Sequence, residues 1–240
     1  MAATLNTLIQ DNEELLAELQ EKIGYYFQER RLLQQALIHS SFAFEKMKNA
    51  CHNETLEFLG DAVLDLAVGY ILFTRFPEMR EGKLTRIRAA LVNESGLAEM
   101  ARQIDLGSYL LLGHGEDTSK GREKASILAC AYEALAGAVY LDRGYEEALI
   151  FVRRWFEPMI DRYREILKKA DPKSALQEFL QEKYNEGPVY VLEKEKGPPH
   201  ARLFYVSVHF RGKSLGTGSA SSKKEAEQKA AAAALKSLNT

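Results

Sequence analysis

Apolar residues recur at intervals of three and four over residues 12–24, 30–43, 54–74, 84–103, 125–141 and 145–168. This 3.6-residue period predicts a helix in each stretch. Turn-forming segments, among them FPEMREGK at 76–83 and LGHGEDTSKGRE at 112–123, separate them. No convincing two-residue alternation occurs before residue 187. From there the pattern changes. A helical stretch at 173–184 is followed by three strand-like runs, PVYVLEKE, ARLFYVSVHF and KSLGTGS, and then by an Ala-rich helix over 222–238. The expected fold is an all-α domain over residues 1–170 followed by a small α+β domain, α-β-β-β-α, over 171–240. Its boundary falls at KKADPKS, where Pro172 ends a long helical pattern.

Composition narrows the class without naming it. A chain of 240 residues with 46% hydrophobic content can bury one sizeable core or two smaller ones. No apolar run reaches the ~18 residues of a membrane span, and the N-terminal MAATLNTLIQDNEELL has no basic start or apolar core of an export signal. The two cysteines, Cys51 and Cys130, do not make a disulfide framework, so reduced thiols and a cytoplasmic setting are expected. Charge is unevenly spread. From Asp171 onward there are 11 Lys and Arg against 8 Asp and Glu, a net of +3, which leaves −5 for the first 170 residues.

HNETLEFLGDAVL, residues 52–64, opens an otherwise apolar helix with three acids. At 100° per residue Glu54, Glu57 and Asp61 share one face, and Leu56, Leu59 and Val63 point roughly the opposite way. Spacing alone describes an amphipathic helix with a solvated acidic side at its N-terminus. A second segment bears on the same question. ILACAYEALAGAVYL, residues 127–141, carries a single charge, Glu133. A carboxylate in a core helix is costly unless it is paired, protonated or bound to a cation. One reading leaves Glu133 at the helix margin, reaching water or a distant Arg. The other brings it across a helix contact to Glu54, Glu57 and Asp61, where hard cations such as Mg²⁺ would offset the repulsion. Two such ions are suited to phosphodiester hydrolysis.

HNETLEFLGDAVL resembles the signature of ribonuclease III, the double-stranded-RNA endonuclease. The resemblance continues through LLQQALIHSSFA, EGKLTRIRAALVN and LGHGEDTSKGREKASILACAYEALAGAVYLDRGY, and the second domain resembles the double-stranded-RNA-binding domain fused to this nuclease in bacteria. It covers the chain from about residue 14 to the end, and it replaces the solvated-face reading. The resemblance implies Glu57, Asp61 and Glu133 as metal-binding carboxylates, with Asp61 and Glu133 catalytic and Glu54 close by. It further implies Mg²⁺, with Mn²⁺ as a substitute, a cytoplasmic enzyme of rRNA and mRNA processing, and a homodimer whose two sites cut opposite strands. The products are staggered ends with 5′-phosphate and 3′-hydroxyl. Phe58, an aromatic on the acidic side of its helix, matches a family residue that helps join the subunits; within one subunit it would be a partly buried aromatic.

The chain departs from the family at two positions. Cys130 stands where Asp is usual, three residues before the metal-binding Glu. A thiol is soft and usually protonated, poorly matched to Mg²⁺. If it spoils the site, the chain is a double-stranded-RNA-binding protein with an impaired nuclease. Asp65, one turn beyond Asp61, is either a partial substitute or a helix-edge residue. His114 stands where Lys is usual and carries no expected catalytic role.

The small domain has its own candidates. Ser222-Lys223-Lys224-Glu225 reads as a capping box with two lysines in the first turn. Cations there oppose the helix dipole unless an anion binds, so a phosphate clamp and a pair of solvated lysines offset by Glu225 and Glu227 are both open. Gln177 and Gln181 lie four apart, with Ser174 one turn earlier. By resemblance this face and the loop bearing His200 enter successive minor grooves, reading A-form shape across ~16 bp.

Overall fold

The computed structural model describes residues 3–47, 51–198 and 202–238, and the side chains of 164–170 lie outside the description. The chain divides into two compact units, Met1–Ile160 and Asp161–Thr240. The first is helical: α1 (Leu5–Asp11), α2 (Glu13–Ile23), α3 (Arg30–Ala36), α4 (Ser40–Lys46), α5 (Glu54–Arg75), α6 (Glu81–Leu91), α7 (Glu94–Gln103), α8 (His114–Thr118) and α9, which begins at Ala125 and runs to Ala170. The second holds α10 (Pro172–Tyr184), β1 (Val189–Lys196), β2 (Leu203–Phe210), β3 (Lys213–Ala220) and α11 (Lys223–Leu238). The expected all-α and α-β-β-β-α architectures are both present.

Periodicity placed the helical regions and misjudged some of their breaks. The stretch 30–43 is two helices, because α3 ends at Ala36 with Leu37 as its C-cap and His39 caps α4, its ring nitrogen accepting from the Ser41 N–H. The stretch 84–103 is also two, because Asn93 caps α7 by accepting from the Gly96 N–H at 2.9 Å. Each cap residue sits where the apolar period continues across it, so period alone does not reveal the break. The helix α1 precedes the first predicted stretch and opens with a Thr4–Thr7 capping box.

Within α9 the expected gap between 141 and 145 is a kink: Arg143 leaves helical geometry, and Gly144 takes φ 81°, open to glycine at little cost. The kink is anchored. The fully buried Asp142 carboxylate accepts from the Tyr25 hydroxyl at 2.8 Å and from the backbone N–H groups of Gln28 and Glu29, and Arg143 Nε donates to the same hydroxyl. The segment Ala125–Tyr163 is long and apolar enough by composition to cross a bilayer, but 61% of its most apolar window is buried inside the protein, as in a core helix.

The core of the first unit forms where α5 meets α9. Leu64, Ala67, Val68 and Ile71 of α5 are buried, as are Ala134, Leu135, Ala138 and Val139 of α9. The axes come unusually close because glycines meet there. A Cβ on Gly137 would lie 2.3 Å from the Leu56 carbonyl oxygen. Such contacts let two backbones touch and set the spacing of everything projecting from the crossing.

In the second unit the strands form an antiparallel sheet in the order β1-β2-β3. Arg211 and Gly212, both at positive φ, make the two-residue turn between β2 and β3. The sheet packs on α11 through small residues: a Cβ on Gly218 would meet the Ala226 carbonyl oxygen at 2.4 Å, and Ala226, Ala230, Ala231 and Ala234 are all buried. The alanine run therefore forms a close-packing face as well as a helix. The start of α10 is tied to α11, with Gln228 accepting from the Lys173 N–H and donating to Asp171.

Candidate active site

The acidic face of α5 begins at Asn53, which is 3% exposed and whose N–H donates to the Ile38 carbonyl. Its own carbonyl accepts from the Glu57 N–H at 2.8 Å. These bonds fix the first turn, so the directions of Glu54 and Glu57 follow from the backbone. Glu57 is half-buried; Glu54 and Asp61 are exposed. Glu54 reaches His52, with 3.8 Å between Oε2 and Nδ1.

Facing this turn, α9 presents Cys130 and Glu133 one turn apart, both half-buried. Ligand atoms of Glu57, Cys130 and Glu133 all lie within 4.8 Å of one another. Asp61 stands outside that group of three, yet its charge acts on Glu133. Burial first, then the charges of Asp61 and Glu57, push the Glu133 carboxyl up to about 7. The Cys130 thiol is pushed up to about 12 by burial and by its hydrogen bond to the Glu57 carboxylate. The thiol is thus protonated and donates to the carboxylate. Close carboxylates with one held against ionisation form a donor set that a divalent cation would relieve, so these residues fit such an ion.

A cleft of about 300 Å³ adjoins the cluster, lined by His39, Ser40, Asn53, Glu54, Glu57, Ser126, Ile127 and Cys130. Sequence reasoning missed His39, Asn53 and Ser126, which come from three separate elements. It also missed Gly60 and Gly137, whose presence inside helices was a readable signal of close backbone approach. Asp65 turns away from the cluster and pairs with Arg88 of α6 at 3.7 Å, the helix-edge alternative. His114 is exposed at the start of α8, and its N–H donates to the Glu45 carboxylate at 2.7 Å.

Phe58, one residue past Glu57, is 84% exposed. It heads a stripe of exposed apolar residues along α5 that continues through Leu66, Tyr70 and Phe73.

The family model described as Ribonuclease-III-like matches residues 29–159. The chain belongs to the ribonuclease III family. The model for the double-stranded RNA binding motif matches residues 172–238, completing the architecture. Ribonuclease 3 of Desulfotalea psychrophila is 58% identical over 240 residues, covering all of both chains. Ribonuclease 3 of Pelotomaculum thermopropionicum is 46% identical over 226 residues, 94% of each chain. A solved structure of the nuclease domain of Campylobacter jejuni ribonuclease III, described for flexibility in a region involved in dimer formation, matches with a TM-score of 0.55 at 44% identity. It covers 59% of this chain and 95% of that one. As a ribonuclease III with a double-stranded RNA binding motif, this protein is a double-stranded-RNA endoribonuclease, and the family implies a divalent metal cofactor.

The ribonuclease III candidates for RNA contact lie on α10 and α11. Ser174 Oγ donates to Asp171 at 2.6 Å; Gln177 and Gln181 are exposed, and Gln181 donates to Asn185. The Ser222 half of the capping box is formed, its hydroxyl accepting from the Glu225 N–H, while the Glu225 carboxylate turns along the helix to Lys229 at 3.0 Å. Lys223 and Lys224 are exposed in that first turn. His200 lies outside the described residues.

Proposed function

We propose that Glu57, Asp61 and Glu133, with Glu54 at the cleft mouth, hold Mg²⁺ (or Mn²⁺) and hydrolyse phosphodiester bonds of duplex RNA to staggered ends with 5′-phosphate and 3′-hydroxyl. The observation that carries the reading is the meeting of Glu57 and Glu133, from helices over 70 residues apart in sequence, in one half-buried cluster. When bound, the metal supplies Lewis-acid stabilisation of the phosphate charge and activation of the attacking water. The chain's own residues do the rest. Glu57 and Glu133 would present carboxylate oxygens to the ion from helices whose separation is set by the α5–α9 crossing. Asp61 faces solvent one turn further on.

We assign the chemistry to residues 1–170 and duplex binding to 171–240. Ser174, Gln177 and Gln181 on one helix, and Ser222, Lys223 and Lys224 on another, supply minor-groove and phosphate contacts, and His200 is assigned to the same RNA contact. The exposed stripe of Phe58, Leu66, Tyr70 and Phe73 is covered by the same stripe of a second subunit in a two-fold dimer. The enzyme works in the cytoplasm on rRNA and mRNA precursors, with both thiols reduced.

The experiment is cleavage of a duplex RNA with Mg²⁺ by wild type and by Glu133→Gln. The amide keeps the volume and loses the charge, so duplex binding persists and cutting ceases. Cleavage at wild-type rates by the variant would remove Glu133 from the mechanism.

A further inference from the structure

We propose that Glu57, Cys130 and Glu133 form a mixed carboxylate–thiol site that takes Zn²⁺ in preference to Mg²⁺, with Cys130 Sγ as a direct ligand. The inference rests on reading this cluster as the divalent-metal site, and adds to it a ligand and an ion class.

Geometry is the first support. Zn–S bonds are about 2.3 Å and Zn–O bonds about 2.0–2.2 Å, so two donors on one tetrahedral zinc lie roughly 3.5–3.7 Å apart. The three donor atoms already stand within 4.8 Å of one another without any ion. Side-chain rotations of Glu57, Cys130 and Glu133 close the difference. Cys130 and Glu133 are one turn apart on α9, and their ligand atoms share one cluster with that of Glu57 from α5.

Donor chemistry is the second. Mg²⁺ requires near-octahedral oxygen coordination and gives up its waters reluctantly, so a sulfur in its shell is a poor exchange. Zn²⁺ accepts sulfur and carboxylate oxygen together, and three protein donors leave one tetrahedral position open. The general affinity order of divalent ions favours zinc further. On binding, the Sγ–H bond gives way to an Sγ–Zn bond and the proton passes to solvent; no electrons are transferred. In this chain zinc therefore competes with Mg²⁺ for the nuclease centre.

The test uses the full-length protein kept reduced with a phosphine. Co²⁺, the spectroscopic stand-in for zinc, should give an intense thiolate-to-metal charge-transfer band in wild type and in Cys51→Ser. The band should be absent in Cys130→Ser and Cys130→Asp, and added Zn²⁺ should bleach it. Zn²⁺ affinity by calorimetry should fall at least tenfold in Cys130→Asp. Bound Co²⁺ without that band, or an unchanged zinc affinity in Cys130→Asp, overturns the thiol ligand. Mn²⁺ binding by electron paramagnetic resonance separates the two layers. Mn²⁺ binding lost in Glu133→Gln, with no charge-transfer band in wild type, refutes the thiol proposal and leaves the metal site standing. No divalent ion binding to wild type refutes both.

Discussion

A Cβ atom placed on Gly60 would lie 1.7 Å from the carbonyl oxygen of Glu133. The backbone of α5 therefore touches the backbone of α9 at the very residue whose side chain completes the acidic cluster. No flexible side chain stands between them to absorb an error, so the separation of Glu57 and Glu133 is fixed by helix packing.

Gly60→Ala should destabilise the nuclease unit by roughly 1–3 kcal/mol or more, because backbone has to yield. Gly137→Ala, with its nearest contact at 2.3 Å, should cost less. Gly82→Ala in α6 has nothing within 4 Å and should be neutral or stabilise by up to about 1 kcal/mol, the ordinary gain of alanine over glycine in a helix. Urea unfolding of the three variants checks the ranking. Equal effects at 60 and 82 would mean the crossing is looser than the contacts indicate.

Glu133 should oppose folding when no metal is present. Its carboxyl is raised to about 7, so the folded state prefers the protonated form. The stability linked to that proton is fully present below about pH 4.5 and lost as pH rises through 7. In EDTA, Glu133→Gln should therefore unfold at a higher temperature than wild type at pH 8, by the equivalent of roughly 1–2 kcal/mol after discounting for partial exposure. The two should converge near pH 4.5. A variant less stable than wild type at pH 8 would contradict the account in which burial and the charges of Asp61 and Glu57 raise the Glu133 carboxyl.

Lys223 and Lys224 should act as phosphate contacts. Replacing both with Ala should weaken binding to duplex RNAs of different sequence by a similar factor, and reduce the magnitude of the log Kd against log salt slope by about 1 per lost contact. An unchanged slope would return them to the role of solvated lysines offset by Glu225 and Glu227.

Phe58→Ala should loosen the dimer, because a centrally buried aromatic at an interface is worth about 2 kcal/mol or more. Sedimentation velocity across a concentration series should show monomer appearing at concentrations where wild type remains dimeric. Exposed as it is at 84% in one subunit, Phe58 should leave the stability of the monomer nearly unchanged. A large loss of monomer stability would instead place it in a core.

Local pattern in the sequence was enough to assign helix to most of the first 170 residues, the α-β-β-β-α order after them, and the acidic face of α5. Those features depend on neighbours within a few residues, where side-chain period and turn chemistry act directly. The breaks at His39 and Asn93 were hidden, since a cap is defined by a backbone turn that the apolar period runs across. The meeting of Glu133 with Glu57, the diversion of Asp65 to Arg88, and the recruitment of His39, Asn53 and Ser126 to one cleft were decided only by tertiary structure. Helical period gives the direction a side chain leaves its own axis. Which axis lies opposite, and how near, depends on long-range packing, and here on two glycines that let two backbones touch.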